Sequence, residues 1–465
     1  MEPDPSSHAA TAPDQAALPA LALEPVSLGA RVRGVDTLRG VALLGILVMN
    51  ITAFAYPSIA YLNPDVPALR EYAGEFSGAN KAAWWIAHTF FDLKMMSIFS
   101  MLFGAGLVLM HTRSAGRHTA ADAARSGAFA RVYYRRIAWL FVIGMIHAYL
   151  IWWGDILVAY AICGLVLYPL RRVRARWLII LGAVVTLVAV LISAGFGAAL
   201  NYLRDSAAES QRILDAGGSL SPDQQGMLDG YRQTMAGINP PAGEIQRVIA
   251  HMRGSIAQVL GQNAKEALML QTIVFIMGTL WRALGMMLLG MGLMKLGVFA
   301  AACSTRFYII LTTAGYLVGL PLVHVGGERL AKSNFDFIDL YFVNGHFNYI
   351  GSVFVALGHV GAVMLACRVG VLASLRSRLA AVGQMALTNY LMQSVLCVLF
   401  FNGYGGLGLG QFARLERAET YLVVAGVWTL ELVWSPIWLA RFRFGPAEWL
   451  WRSLTYWKLQ PMRRG

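Results

Sequence analysis

Residues 143–160, "IGMIHAYLIWWGDILVAY", decide how the rest of this sequence is interpreted. The stretch is almost wholly apolar, yet His147 stands near its middle and Asp155 follows Gly154. Inside a bilayer such side chains cannot reach bulk water, so they normally face the interior of a helical bundle. The stretch therefore indicates two apolar helices that meet near Gly154 and carry two polar side chains into the protein interior.

The composition is that of a membrane protein. Of the 465 residues, 57% are hydrophobic and 14% are charged, whereas soluble domains carry about 25% charged residues. Apolar runs that suit a bilayer recur along the chain, so the sequence predicts an all-α, polytopic bundle of about ten membrane-spanning helices. The predicted spans are residues 38–57, 82–111, 136–153, 156–170, 177–200, 270–297, 307–324, 349–367, 379–400 and 420–440.

The distribution of Lys and Arg gives the predicted orientation. With both termini in the cytoplasm, the inner segments carry about twice as many basic residues as the outer ones, as the positive-inside rule requires. The net charge of +13 then belongs to one membrane face, and no nucleic-acid partner is expected. The predicted parts are a disordered cytoplasmic tail, five spans, an extracytoplasmic helical loop, five more spans and a cytoplasmic interfacial amphipathic tail: residues 1–30, 31–200, 201–269, 270–440 and 441–465.

Five polar side chains are predicted to lie near the middle of the bilayer. At a rise of about 1.5 Å per residue they stand about 15 to 18 Å from the nearest span end, in a hydrocarbon core about 30 Å thick. Charged groups at that depth face a bundle interior or a wet cavity. The five residues are Lys94, His147, Arg282, His359 and Asn389.

The positive charges of Lys94 and Arg282 have no predicted counter-ion at this depth. The acids nearest to the spans are all assigned to span ends: Asp36, Asp92, Asp155 and Glu431. An interior cavity lined by such cations suits an anionic ligand or a developing negative charge. In the structural alternative, Lys94 extends to Asp92 or Asp155, and Arg282 binds a helix carbonyl.

His147 is the strongest candidate for proton transfer, because an imidazole changes charge in the working pH range. On one unbroken helix Asp155 would lie about 12 Å along the axis and about 80° round from it. Direct contact therefore requires the chain to bend at "WWGD". The alternative is a histidine that only packs helices together; His359 and His88 are weaker candidates for the same role.

Two further pairs are candidates for ligand contact. Asn389 and Gln393 are four residues apart and share a helix face, where they would line a substrate pathway together with His359, or bridge helices. Asp36 and Arg39 are three apart, so they form a local ion pair, or Arg39 helps to hold an anionic group that enters from the cytoplasm. The nine histidines are scattered and show no metal-ligand spacing, so no metal site is predicted.

Five segments carry a family resemblance: "VDTLRGVALLGILVMNITAF", "KMMSIFSMLFGAGL", "GMIHAYLIWWGDILVAYAICGL", "MALTNYLMQS" and "FGPAEWLWRSLTY". In this order they resemble the YeiB-type family of bacterial inner-membrane proteins, whose C-terminal half is a domain of unknown function. That family is distantly similar to transmembrane acyltransferases such as heparan-α-glucosaminide N-acetyltransferase. The shared features are Asp36-x-x-Arg39-Gly40 and a second helix that ends in "FGAG".

The resemblance implies an acyl group taken from cytoplasmic acyl-CoA and passed across the bilayer to an acceptor outside, with a histidine involved. In the heparan enzyme the key histidine lies between the first two helices, where His88 is the nearest here. The YeiB-type motifs contain Lys94, His147, Asp155, Asn389 and Gln393 instead.

The first hypothesis is therefore a membrane-bound acyltransferase of the bacterial inner membrane. His147 and Asp155 would be catalytic, with Lys94, Arg282, Arg39 and Asp36 binding the anionic donor. The expected donor is acyl-CoA, such as acetyl-CoA, with no permanently bound cofactor. The expected partners are membrane lipids, a sugar or lipid acceptor and further copies of the chain.

The second hypothesis is a transporter or flippase for an anionic solute or lipid, because transporters place substrate sites at the bilayer midplane. The third is a structural or sensory protein whose polar residues only hold helices together.

Overall fold

The structure is a computed structural model that describes residues 33–115 and 122–464, with side chains described outside residues 113–126. The predicted tail, residues 1–30, lies outside the described residues. Within the described ranges the chain forms helices and no strand, so the predicted all-α bundle is confirmed. The apolar runs read from the sequence form helices because a backbone inside a bilayer must satisfy its own hydrogen bonds.

The described ranges contain sixteen α-helices of eleven or more residues, numbered in chain order. They are α1 (Arg33–Ala55), α2 (Gly78–Phe90), α3 (Lys94–Ala115), α4 (Asp122–Ile146), α5 (Leu157–Leu170), α6 (Ala175–Asp215), α7 (Pro222–Ile238), α8 (Ala242–Arg253), α9 (Ile256–Met269), α10 (Leu280–Lys295), α11 (Thr305–Lys332), α12 (Gly345–Val369), α13 (Ala373–Gln384), α14 (Ala386–Phe401), α15 (Arg417–Arg441) and α16 (Pro446–Tyr456).

Three segments continue these helices with wider turns, in which each N–H bonds the carbonyl five residues back. They are His147–Ile151, Leu270–Thr279 and Leu340–Asn344. The first extends α4, the second joins α9 to α10, and the third leads into α12. Such turns are frequent at functional sites, and the first of them contains His147.

Eight helical segments of the described chain are long and apolar enough to cross a membrane, so the chain is a membrane protein. A ninth span results if α13 and α14, which are bent by 83°, cross together. The predicted span at 156–170 corresponds to α5, which has 14 residues. At about 21 Å α5 is shorter than the bilayer core of about 30 Å. The ten predicted spans therefore include one helix that is too short to cross the core by itself.

Helix α1 is the centre of the bundle. Most of its residues are buried, whereas only 22% of the most apolar part of α6 and of α11 is buried inside the protein. Glycines allow the closest approaches: a Cβ on Gly40 of α1 would overlap the carbonyl oxygen of Leu379, and one on Gly383 would overlap that of Asp36. Small residues at helix crossings are how membrane helices gain van der Waals contact.

Residues 201–269 consist mainly of helices: the end of α6, then α7, α8 and α9. Ser221 and Gln224 form a capping box at the start of α7, and each side chain bonds the other's backbone N–H. α7 ends at Ile238, where the sequence "GINPPAGE" predicts a break. α8 packs through Ile245, Ile249 and Met252, which belong to the same buried cluster as the end of α1.

Replacing Gly104 with Ala should destabilise the bundle, because the added Cβ would overlap the carbonyl oxygen of Met287 where α3 crosses α10. Overpacking of this kind costs about 1–3 kcal/mol. Gly106→Ala on the same helix is the matched control, since a Cβ there meets open space. Thermal unfolding in detergent, followed by Trp fluorescence, should show a lower midpoint for Gly104→Ala alone. Equal midpoints for the two variants would contradict this packing.

Candidate functional site

His147 and Asp155 are brought together by a bend in the chain. The wide turn ends where the Trp152 N–H donates to the carbonyl of His147 at 2.8 Å, and the Trp152 backbone is extended. The chain becomes helical again at Leu157, the start of α5. Across this bend His147 Nδ1 lies 2.9 Å from Asp155 Oδ1. The direct contact between His147 and Asp155, which requires a bend at "WWGD", is therefore present.

Local packing explains why the chain bends here. The Trp152 ring stacks on Phe54 at the end of α1, with ring centroids 4.0 Å apart. Gly154 passes the face of the same ring, where a Cβ would overlap the indole. Asp155 Oδ2 accepts the N–H of Val158 at 2.8 Å, which caps the first turn of α5.

The second ring nitrogen of His147 contacts a serine on a different helix. His147 Nε2 lies 2.9 Å from Ser394 Oγ of α14. The Asp155 carboxylate can only accept a hydrogen bond, so it assigns the proton to Nδ1 and leaves Nε2 to accept from the Ser394 hydroxyl. The alternative acceptor of that hydroxyl, the carbonyl of Tyr390, is more distant at 3.3 Å.

Ser394, His147 and Asp155 thus form a buried hydroxyl–imidazole–carboxylate chain. The side chains of His147 and Asp155 are 0% exposed, and Ser394 is 1% exposed. This is the connectivity of nucleophile, base and orienting acid that serves acyl transfer on unrelated folds. The Tyr390 ring closes one side of the imidazole at 5.0 Å between centroids.

Ser394 was not predicted from the sequence. Its signal is its place as the last residue of "MALTNYLMQS", directly after Gln393. An isolated serine in an apolar helix usually bonds the carbonyl four residues back, so sequence alone gives no reason to select it.

Gln393 contacts the buried acid Glu431. Its Nε2 donates to Glu431 Oε2 at 3.0 Å, and Glu431 is 0% exposed. Glu431 lies well inside α15, not at a span end as predicted. Its other oxygen, Oε1, is buried and has no hydrogen-bond partner among the described residues.

The structure gives Lys94 a counter-ion through one bridging amide, contrary to the prediction of an uncompensated cation. Lys94 Nζ donates to the carbonyl of His88 at 2.6 Å and to Asn348 Oδ1 at 2.7 Å. Asn348 Nδ2 donates in turn to Asp92 Oδ2 at 2.6 Å. His88 Nδ1 lies 3.4 Å from the same oxygen, and its buried Nε2 has no partner in the described chain.

Arg282 is bound by neutral groups. Its guanidinium donates to Ser97 Oγ at 2.8 and 3.0 Å, to Ser352 Oγ at 2.6 Å and to the Tyr349 carbonyl at 2.6 Å. The side chain is 1% exposed. Arg282 lies on α10 and reaches Ser97 of α3, the helix that also carries Lys94. The groups around Lys94 and Arg282 lie on α3, α10 and α12, whereas His147 contacts Asp155 in the bend before α5 and Ser394 of α14.

His359 and Asn389 bridge helices. His359 accepts from the Tyr316 hydroxyl at 2.8 Å through Nδ1 and donates to the Phe90 carbonyl at 2.9 Å through Nε2. Asn389 donates to the carbonyl of Val382 at 3.1 Å and to Ser435 Oγ at 3.0 Å. Its Oδ1 accepts from the Trp434 indole. Both side chains are thus engaged in packing the bundle.

Asp36 and Arg39 form the local ion pair, at 3.0 Å, and Arg39 also reaches the Gly383 carbonyl at 3.4 Å. The Arg39 side chain keeps 28% of its surface exposed. It is therefore the most accessible of the predicted donor-binding residues, and its remaining N–H groups can meet an anionic group at the predicted inner mouth.

Glu448 of the amphipathic α16 fixes the start of α14. Its carboxylate accepts from Leu387 N at 2.6 Å, from Thr388 N at 3.1 Å and from Thr388 Oγ1 at 2.5 Å. Burial raises the pKa of Glu448, while the hydrogen bonds from Thr388 oppose that rise. The "FGPAEWLWRSLTY" segment thereby positions the helix that carries Ser394.

Among the described residues, no group of three or more His, Cys, Asp and Glu side chains could hold a metal ion.

The chain is similar to one protein family and to three bacterial proteins. The family described as a protein of unknown function, DUF418, matches residues 293–458. The chain is 29% identical over 425 residues to the uncharacterized protein YeiB of Escherichia coli, covering 90% of this chain and 95% of that one. The family match and these similarities support a YeiB-type family.

Two Bacillus proteins are similar over the same extent. The uncharacterized protein YxaH of Bacillus subtilis is 28% identical over 453 residues, 95% of this chain and 98% of the relative. An uncharacterized 39.9 kDa protein from the amylase 3′ region of Bacillus acidopullulyticus is 23% identical over 434 residues, 93% and 96% of the two chains. No solved structure matches this chain. The YeiB-type similarity therefore extends beyond the DUF418 part to the segments that carry His147 and Asp155.

Replacing Lys94 with Met should lower the unfolding midpoint, because Asp92 then loses the cation to which Asn348 connects it. Breaking a buried pair from one side costs about 3–5 kcal/mol. Adding Asp92→Asn removes the stranded charge, so the double variant should be more stable than the sum of the two single losses. Strictly additive midpoints would show that the two charges do not interact.

Glu431→Gln should unfold at the same temperature as the parent protein or higher. The amide oxygen can still accept from Gln393, and the substitution keeps the size of the buried side chain. Gln393→Ala is the contrasting variant, since it leaves both carboxylate oxygens unpartnered, and it should unfold at a lower temperature. A marked loss of stability in Glu431→Gln would show that the carboxyl group itself is needed.

Proposed function

We propose that this YeiB-type protein is a membrane-embedded acyltransferase of the bacterial inner membrane. It would move an acyl group from cytoplasmic acyl-CoA to a sugar or lipid acceptor on the outer side. The observation that carries the proposal is the contact of His147 with a carboxylate on one nitrogen and a hydroxyl on the other. That arrangement makes a neutral imidazole a general base for a hydroxyl group.

Each member of the chain has a role in this reaction. His147 Nε2 takes the proton of the attacking hydroxyl, and Asp155 holds the imidazole in the required tautomer and stabilises its protonated form. Asp155 therefore orients His147, because both of its oxygens are occupied by His147 and Val158 N. The burial of the chain excludes water, which would otherwise hydrolyse the acyl donor.

The predicted donor-binding residues would act at two levels. Arg39, beside Asp36 and partly exposed, would bind the anionic donor at the inner mouth. Arg282, bound only by neutral groups in the described structure, would contribute positive potential to the interior. Lys94 would contribute less, because Asp92 balances its charge through Asn348. The resemblance to transmembrane acyltransferases supports a CoA thioester as the donor.

The reaction can be tested with the full-length protein in proteoliposomes, supplied with acetyl-CoA labelled in the acetyl group and with a total bacterial lipid and envelope glycan extract. The wild-type protein should transfer label to a component of the extract. His147→Ala should reduce the rate about 10²- to 10⁴-fold, the usual contribution of a general base. The folded state of the variant is checked by its unfolding midpoint.

His88→Gln is the matched control, because His88 is also buried beside a carboxylate but contacts no serine hydroxyl in the described structure. It should retain transfer. Transfer by His147→Ala at the wild-type rate would show that His147 is not the general base. Uptake of an anionic solute into the same vesicles without any acyl donor would favour the transporter hypothesis.

A further inference from the structure

We infer that acyl transfer proceeds through a covalent acyl ester on Ser394 Oγ. This inference rests on the proposed function and specifies its route: the acyl group is first carried by the protein and then passed to the acceptor. It follows from the identity of the hydroxyl that the base contacts. In the structure His147 Nε2 faces a hydroxyl of the protein itself, 2.9 Å away.

The environment of Ser394 differs from that of another buried serine. Ser100 Oγ bonds the Tyr160 hydroxyl at 2.7 Å and the Met96 carbonyl at 2.8 Å, which are helix-packing contacts. Ser394 Oγ also reaches the Tyr390 carbonyl at 3.3 Å, but its closer contact is an imidazole whose far nitrogen bonds a carboxylate. A serine is a weak nucleophile until an adjacent base takes its proton, and this geometry supplies that base.

The chemistry balances in two steps. In the first, Ser394 Oγ attacks the thioester carbonyl and its proton passes to His147 Nε2. The C–S bond breaks, and the thiolate leaves as the free thiol of CoA after taking that proton. In the second, His147 takes a proton from the acceptor hydroxyl, whose oxygen attacks the ester carbonyl. The C–O bond to Ser394 breaks and the proton returns to Ser394 Oγ. No oxidant, reductant or metal is needed.

The position of Ser394 also favours two separate steps. It is six residues, or about 9 Å along α14, from Thr388, where Glu448 of the amphipathic helix caps α14. On its other side the bend at Trp152 and the end of α1 cover the site. Donor and acceptor are proposed to arrive from opposite faces of the membrane. A covalently held acyl group lets the donor and the acceptor react in turn at the same buried serine.

The inference is tested with purified full-length protein and a donor but no acceptor. Acetyl-CoA and palmitoyl-CoA are each supplied alone, and intact mass spectrometry follows the protein while a thiol reagent follows CoA release. The expected result is one acyl group per chain with about one equivalent of thiol released. Peptide mapping should place the group on Ser394, and alkaline hydroxylamine should remove it.

Three variants sharpen the result. Ser394→Ala should carry no acyl group, and Ser394→Cys should carry it as a thioester that neutral hydroxylamine releases. Ser100→Ala is the matched control and should be acylated like the wild-type protein. His147→Ala should slow acylation by the same factor by which it slows transfer.

Two results would overturn the covalent route while leaving the proposed function intact. One is transfer to the lipid and glycan extract by the Ser394→Ala variant at the rate of the wild-type protein. The other is transfer by the wild-type protein with the acyl group found on a different residue or on none. Failure of the wild-type protein to consume either donor, even with the extract present, would instead overturn the proposed function.

Discussion

The hydrogen bond between His147 and Asp155 is the interaction on which the candidate site depends. A carboxylate withdrawn from water must find donors within the protein, and Asp155 finds them in His147 and in the first turn of α5. One residue thereby holds the bend, begins the next helix and fixes which imidazole nitrogen remains free. The reactivity proposed for Ser394 follows from that assignment, because only an unprotonated Nε2 can accept its proton.

Helix α14 gathers the motif segments around this interaction. Its first turn is capped from α16 by Glu448, and Gly383 just before it packs against α1 at Asp36. Further along, Tyr390 and Ser394 meet the His147 bend. Segments that are far apart in sequence thus surround one short helix.

The sequence was sufficient for the features that depend on local pattern. Apolar runs predicted the all-α bundle, "WWGD" indicated the bend, and the spacing of Asp36 and Arg39 predicted their ion pair. Features that depend on packing between distant helices were beyond it. Ser394 lies 247 residues from His147, and nothing in an isolated helix distinguishes it from a serine that bonds its own backbone. The compensation of Lys94 likewise depends on Asn348, an uncharged residue 254 positions away.

The wide turn at His147–Ile151 restricts how the chain length can vary. Each turn there takes up one residue more than an ordinary helical turn, so the direction of the imidazole depends on the exact number of residues between Gly144, packed against Val158, and Asp155. Gain or loss of one residue would rotate His147 by about 100° towards a neighbouring helix or the lipid. Between Gly144 and Asp155, natural or engineered sequences can therefore exchange side chains far more readily than they can change in number.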